Sequence, residues 1–271
     1  MSRLRVNLAK VFLNEMRWPE VKNVVKENTV VIIPVGSLEQ HGMHLPLGTD
    51  TFTSMDWAKK AAERTHSIVA PVISVGLSEH HMGFPGTITL KPDTFSQVLF
   101  EACSSLSKHG FKKILIVNSH GGNDLACKAT AEKASRELGV GVAVFGVSDI
   151  IAIVTKLSPK IGERHDFHAG VEETGWMLSL KPKLVDMRFA KKPKITLPKK
   201  LQNLAAESKG DPAYEQLLKL EMLDFASVSD TGSIVFEGDP REAENDIQGA
   251  TKRLKSIVDA IVHFIDEWKK I

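Results

Sequence analysis

The sequence predicts an α/β fold in three α/β/α layers, with helices on both faces of a mostly parallel central sheet. Three observations carry this. Between residues 30 and 147, short apolar, β-branched runs alternate with longer segments of helical spacing, the pattern of strand–helix–strand units. The runs are apolar throughout rather than every second residue, as expected of strands buried on both faces. No repeat, low-complexity tract or clear linker divides the 271 residues, so one domain is the simpler organisation.

Along the chain, residues 1–28 mix a short apolar segment, Val11–Leu13, with charge, and Trp18-Pro19-Glu20 reads as a helix start with proline in its first turn. Val30–Val35 is the first strand, its hydrogen-bonded part ending about Pro34, which has no N–H to donate. Thr51–Arg64 has helical spacing through Met55, Ala58, Ala61 and Ala62. Ile68–Val75 reads as a second strand. Asp93 is expected to cap a helix whose face is Phe95, Leu99, Ala102 and Leu106 and which Gly110 stops. Ile114–Val117 is a strand, followed by a helix to about Leu138, the strand Val140–Val147 and a helix near Ile150–Leu157. A buried helix contains Trp176, Met177, Leu178 and Leu180 and carries Glu172 and Glu173 in its first turn. From Asp186 to Asp230 the pattern weakens, with a helix expected over Pro212–Leu223 and solvated lysines at 191–194 and 199–200. A strand-like Ile-Val-Phe lies within Thr231–Pro240, and Glu242–Trp268 is a long amphipathic helix.

Composition narrows the partners. Hydrophobic residues make up 42% and charged residues 25%, ordinary for a globular protein, and a formal charge of +2 gives no pull toward nucleic acid or an anionic membrane. No run of about 18 apolar residues suggests a membrane span, and no signal-peptide apolar region follows Arg3 and Arg5. Cys103 and Cys127 lie in helical patterns without a Cys-x-x-Cys, so a disulfide scaffold or thiolate zinc site is not expected and a cytoplasmic location fits.

Chemistry concentrates where strands end. Gly36–Asp50 places Glu39, His41 and Asp50 in the segment leaving the first strand's carboxyl end, where open α/β sheets hold ligands. Glu39 and His41 leave an extended segment on the same face, and Gly42, Pro46 and Gly48 let the chain return with Asp50. Imidazole nitrogen and carboxylate oxygen suit divalent cations, and one carboxylate can bridge two. Taken alone, Glu-Gln-His is more often a polar surface loop. His80 and His81 sit in the Gly- and Pro-rich loop 76–87; the plain reading is a polar turn, the functional one contact with substrate. The turn Asn118–Asn123 displays His120, and the two glycines after it allow close approach of backbone to a bound group. A phosphate cradle is disfavoured there, because neither Gly-Lys-Ser/Thr nor Gly-x-Gly-x-x-Gly is present. Of Glu172 and Glu173, one is expected only to complement the helix dipole.

Taken together, Gly36-Ser-Leu-Glu-Gln-His-Gly42 with His44-Leu-Pro-Leu47 and Thr49-Asp50, then Phe84-Pro-Gly-Thr87, Asn118-Ser-His-Gly-Gly-Asn123, and His168-Ala-Gly170 with Glu173-Thr174 resemble the ordered motifs of the creatininase (creatinine amidohydrolase) family. Gly238-Asp-Pro240 resembles a later one. The resemblance implies a homohexamer, and a hydrolytic site of two divalent metal ions, zinc and/or manganese, with iron compatible. Its ligands would be Glu39, His41, Asp50 (bridging) and His120, with His168 as general acid/base. Creatininase itself carries a glutamate ligand where Gly122 stands; in relatives with the Gly-Gly form the glutamate of His-Ala-Gly-x-x-Glu, here Glu173, looks like its replacement. His80 and His81 are candidates for orienting a small-molecule substrate. The implied reaction is hydrolysis of a C–N bond in a cyclic amide or formamide. Relatives also include a peptidase-like maturation enzyme and hydrolases that open a cyclic keto-polyol at a C–C bond. A different class of reading is a metal-stabilised structural subunit without turnover.

Overall fold

Val30–Val35 (β1) is buried along its whole length, which its β-branched side chains and central position in the sheet explain. In the computed structural model, which describes residues 10–26, 29–158, 166–196, 224–236 and 238–271, β1 follows the helix Trp18–Lys26 (α1). It is flanked in parallel by Ile68–Val69 (β2) and Lys113–Asn118 (β3), and β3 in turn by Gly141–Phe145 (β4). The order is β2-β1-β3-β4.

Alternation along the strands builds two cores. Val30, Ile32, Val69, Leu115 and Val117 face the layer formed by Thr49–Thr65 (α2), Val147–Leu157 (α5), Val171–Leu180 (α6) and Ile247–Trp268 (α8). Val31, Ile33, Val35, Ile68, Ile114 and Ile116 face Pro92–Lys108 (α3) and Asp124–Leu138 (α4), with Val24 of α1 beside them. This is the three-layer α/β/α arrangement expected. Cys103 and Cys127 are buried free thiols on α3 and α4. Among the described residues no helix is long and apolar enough to cross a membrane.

Several boundaries differ from expectation. The strand expected over Ile68–Val75 is paired only at Ile68–Val69; Pro71 cannot donate, and the chain rejoins β1 by a single bridge, Val35 to Ile73. Helix α2 starts at Thr49, so Asp50 lies in its first turn rather than in the preceding loop. Lys91, not Asp93, is the N-cap of α3; Pro92 takes the first helical position and Asp93 follows it. The expected C-terminal helix is broken into a 3₁₀ segment, Pro240–Asn245, and α8. The expected helix over Pro212–Leu223 and the lysines at 199–200 lie outside the described residues.

Two features position the site. The chain passes from β1 outward to β2 and then returns to β3 on the other side, so the carboxyl ends of β1 and β3 flank the point where strand order reverses. Beside them, Asp166–His168 (β5) pairs antiparallel with Ile234–Val235 (β6), and Phe225–Val228 (α7) immediately precedes that second strand.

Candidate metal centre

The predicted ligands and His168 come from four segments: Glu39 and His41 follow β1, Asp50 lies in the first turn of α2, His120 follows β3, and His168 and Glu173 lie at the end of β5 and the start of α6. At Gly36 a Cβ would lie 2.6 Å from the Thr51 nitrogen, so the missing side chain lets the first turn of α2 sit against the end of β1. Ser119 fixes the second contact: its hydroxyl donates to the Asp50 carbonyl at 2.6 Å, tying the end of β3 to that same turn. His168 ends β5, and Glu173 lies in the first turn of α6, where the Ala169 N–H donates to its Oε2 at 2.6 Å. Ala169 takes a left-handed φ of 49°, a conformation uncommon outside glycine, to make that approach.

Glu39, His41, Asp50, His120, His168 and Glu173 converge. Asp50 Oδ1 is 3.3 Å from His41 Nε2, whereas Asp50 Oδ2 is 3.2 Å from His120 Nδ1. His120 Nδ1 is also 3.2 Å from Glu39 Oε1, and His41 Nε2 is 3.8 Å from Glu173 Oε2. Two donor sets capable of holding a cation therefore share one carboxylate: Glu39, Asp50 and His120 on one side, His41, Asp50 and Glu173 on the other. A third overlapping group joins Glu39, His41 and His168, with His168 Nδ1 3.8 Å from Glu39 Oε1.

The imidazole tautomers fit cation binding. His41 Nδ1–H donates to the Glu39 carbonyl at 3.2 Å and His120 Nε2–H to the Leu77 carbonyl at 3.0 Å, which leaves the other nitrogen of each ring bare toward the carboxylates. His41 Nε2 and Asp50 Oδ2 are buried without a hydrogen-bond partner, an expensive arrangement unless a cation engages them. Gly122 serves this geometry in a way the sequence did not reveal. A Cβ there would meet the Leu77 oxygen at 2.4 Å and His120 Nε2 at 2.5 Å, so this glycine clears the hydrogen bond that orients His120 rather than room for a bound group.

Electrostatics point the same way. Burial pulls the His41 pKa down, but Asp50, then Glu173 and Glu39, outweigh it and push it up to about 10. His120 is likewise raised well above the usual imidazole value, with burial overcome by Glu39 and Asp50. Burial favours a neutral Asp50, yet His41 and His120 hold its pKa at about 2. Glu173 moves the other way, to about 7, because burial and the neighbouring Asp50 charge outweigh the attraction of His41. Three carboxylates around two imidazoles thus demand positive charge, and divalent cations supply it while leaving the ligand nitrogens unprotonated.

His168 differs from the two other histidines. Its Nε2–H donates to the Gln40 carbonyl at 2.7 Å, its ring lies 4.3 Å from that of His41, and burial followed by His41 charge lowers its pKa well below the usual value. His80 and His81 are both close, but not equivalent. His81 is buried with both ring nitrogens engaged, one near Gln40 Nε2 at 2.8 Å and the other 3.3 Å from Glu39 Oε1. His80 is partly exposed, stacks 5.9 Å from the His120 ring and packs edge-on to Phe225 at 5.0 Å.

Sequence reading alone did not find Phe225, Gln40 or Ser78. Phe225 packs against His80, His81 and His168, and nothing in its surroundings in the sequence marks it. Ser78 donates to Glu39 Oε2 at 2.5 Å; its place in the same loop as the histidine pair was the available signal. Glu172, the neighbour of Glu173, pairs instead with Arg253 of α8 at 2.7 Å, an ion pair rather than a solvated helix-dipole role.

The sequence model of the family described as creatinine amidohydrolase matches residues 14–265. The chain belongs to the creatininase family. Its relatives within that family are hydrolases of several kinds. The creatinine amidohydrolase of Pseudomonas putida is 32% identical over 205 residues, 69% of this chain and 79% of that one. The 3-dehydro-scyllo-inosose hydrolase of Thermotoga maritima is 30% identical over 185 residues, 66% and 59% of the two chains. The mycofactocin precursor peptide peptidase of Mycolicibacterium smegmatis is 34% identical over 160 residues, 56% and 58%. Two creatininase structures, a manganese form and a mutant of zinc–zinc type, each superpose with a TM-score of 0.73 at 26% identity over 95% of this chain and 98% of theirs.

Proposed function

We propose that this creatininase-family chain is a metal-dependent hydrolase with a dinuclear site, Glu39, Asp50 and His120 holding one divalent ion and His41, Asp50 and Glu173 the other. The observation that carries the reading is Asp50, whose two oxygens face two different histidines at 3.3 and 3.2 Å. Zinc and manganese suit this nitrogen and oxygen donor set, and both are named for solved creatininases. Bound there, such ions supply Lewis acidity and bring the pKa of water toward neutrality.

The chain's own residues do the remaining work. With its proton fixed on Nε2 by the Gln40 carbonyl, His168 presents a bare Nδ1 to the site; it takes the proton that the attacking water releases and returns it to the departing atom. Phe225 packs edge-on with the His168 ring, 5.5 Å between ring centroids, and gives this histidine an apolar neighbour. His80, partly exposed where His81 is buried, is the residue of the histidine pair better placed to touch substrate, and the His81 ring lies 4.2 Å from it.

The reaction proposed is cleavage of a C–N bond in a small cyclic amide or formamide, by a single hydrolase domain spanning the matched residues. A second reading, C–C cleavage opening a cyclic keto-polyol ring, is favoured by the similarity to the inosose hydrolase. A non-catalytic, metal-stabilised subunit is disfavoured by His168, a spare titratable group beside five ligands. Buried thiols at Cys103 and Cys127 accord with a reducing cytoplasm, and a homohexamer is the assembly proposed from family resemblance.

Turnover of a panel of lactams, formamides and cyclic keto-polyols by the zinc- or manganese-loaded protein tests the assignment. The expected result is chelator-sensitive release of formate and amine from a formamide, or of the ring-opened amino acid from a lactam. Turnover confined to keto-polyols would replace the reading by the second, and turnover of no substrate class by the third.

A further inference from the structure

Gln40 lies in the second layer of the centre, and its side-chain amide is oriented without ambiguity. The Gly42 N–H, which can only donate, meets Oε1 at 2.9 Å; the Gly232 carbonyl, which can only accept, meets Nε2 at 3.0 Å. Nε2 therefore carries its second N–H toward His81 Nδ1 at 2.8 Å, and that ring nitrogen must be the acceptor. A ring whose Nδ1 accepts keeps its own proton on Nε2. His81 Nε2–H then faces Glu39 Oε1 at 3.3 Å as a donor. Since Ser78 donates to Glu39 Oε2, both oxygens of this carboxylate are held, with lone pairs left over for a cation beside His120.

We propose that Gln40 is a positioning residue: through the His81 tautomer it locks the Glu39 carboxylate in the orientation that holds a divalent cation, while its main-chain carbonyl sets the His168 tautomer. His81, unlike His41 and His120, turns an N–H rather than a bare nitrogen to the cluster, so it steadies a ligand and is not one itself. Gly232 completes the device. Its φ is +85°, and a Cβ there would lie 2.0 Å from Gln40 Oε1, so only glycine admits the amide in this pose.

The inference rests on the dinuclear reading for its consequence but not for its first step. Partners that orient a metal ligand are typically worth about 10- to 100-fold in metal affinity. Gln40→Glu keeps the shape but cannot donate to His81 Nδ1 or the Gly232 carbonyl. Zinc affinity, read by competition with a chromogenic chelator, is expected to fall by about that factor. His81→Phe should lose as much, and the double variant no more than His81→Phe alone, because both act through one contact. Unchanged affinity in Gln40→Glu, or losses that multiply in the double variant, overturns the proposal. Independently of metal, ¹⁵N chemical shifts of histidine in the chelated wild type should report the His81 proton on Nε2, and in Gln40→Glu on Nδ1. A wild-type proton on Nδ1 overturns the proposal whether or not the variants fold. If the wild type binds no zinc while the proton sits on Nε2, the dinuclear reading fails and the Gln40–His81 assignment stands.

Discussion

Removing Arg253 should destabilise the fold strongly, because it leaves a buried carboxylate without its partner. Arg253 is 5% exposed and Glu172 7%. Arg253 Nε lies 2.8 Å from both Glu172 oxygens, and its terminal nitrogen reaches Glu172 at 2.7 Å and Asp246 at 2.9 Å. Burial already lifts the Glu172 pKa above the ordinary carboxylate range, opposed chiefly by Arg253. Arg253→Met preserves length and apolar packing but strands the carboxylate. Breaking one side of such a pair costs about 3 to 5 kcal/mol. Because Glu172 can escape part of the cost by taking up a proton, the lower end applies, about 3 kcal/mol. For a chain of this size that is roughly 6–12 °C in Tm. The assay is thermal unfolding followed by circular dichroism at neutral pH, with chelator present for both proteins so that metal linkage does not contribute. Adding Glu172→Gln should restore at least half of the loss, since the stranded charge is then gone. A single-variant shift below about 2 °C, or a double variant less stable than the single, would refute the reasoning.

Three further outcomes are expected. Gly122→Ala forces the His120–Leu77 contact apart and should weaken zinc binding about 10- to 100-fold, whereas Gly121→Ala, with open space around the new Cβ, should leave it unchanged; equal effects in a chelator competition would contradict this. His168→Ala should retain both metals by elemental analysis and lose hydrolysis by about 10²- to 10⁴-fold, and retained activity would reject its acid/base role. Zinc at 100 times its Kd should stabilise the chelated protein by about 2.7 kcal/mol per site, read as a higher Tm; an unchanged Tm would mean that no cation binds the folded state preferentially.

The alternation of buried strands and helices made the layers legible, because Val30–Ile33 and Val35 of β1 and Ile114–Val117 of β3 each face one core or the other and the sequence shows them as apolar runs. The convergence of Glu39, His41, Asp50, His120, His168 and Glu173 followed from their spacing after strands and from motif resemblance together. What escaped is what depends on distant pairing. Pro71 truncates β2 although Val72, Ile73 and Val75 look strand-like, and only tertiary contact shows that Ile73 alone returns to β1. Gly122 looks like a ligand-approach glycine until the Leu77 carbonyl, 45 positions earlier, is seen against it. Phe225 and Gly232 reach the site through the pairing of β5 with β6, which no local pattern announces.

Metal stoichiometry bears most directly on the central claim that Asp50 joins two cation sites. Elemental analysis of the purified chain after equilibration with zinc or manganese and removal of excess should give two ions per chain, and Asp50→Asn, which replaces one of the two shared oxygens by an amide nitrogen, should hold at most one. A wild-type chain with a single ion, or an Asp50→Asn variant that keeps two, would contradict the account.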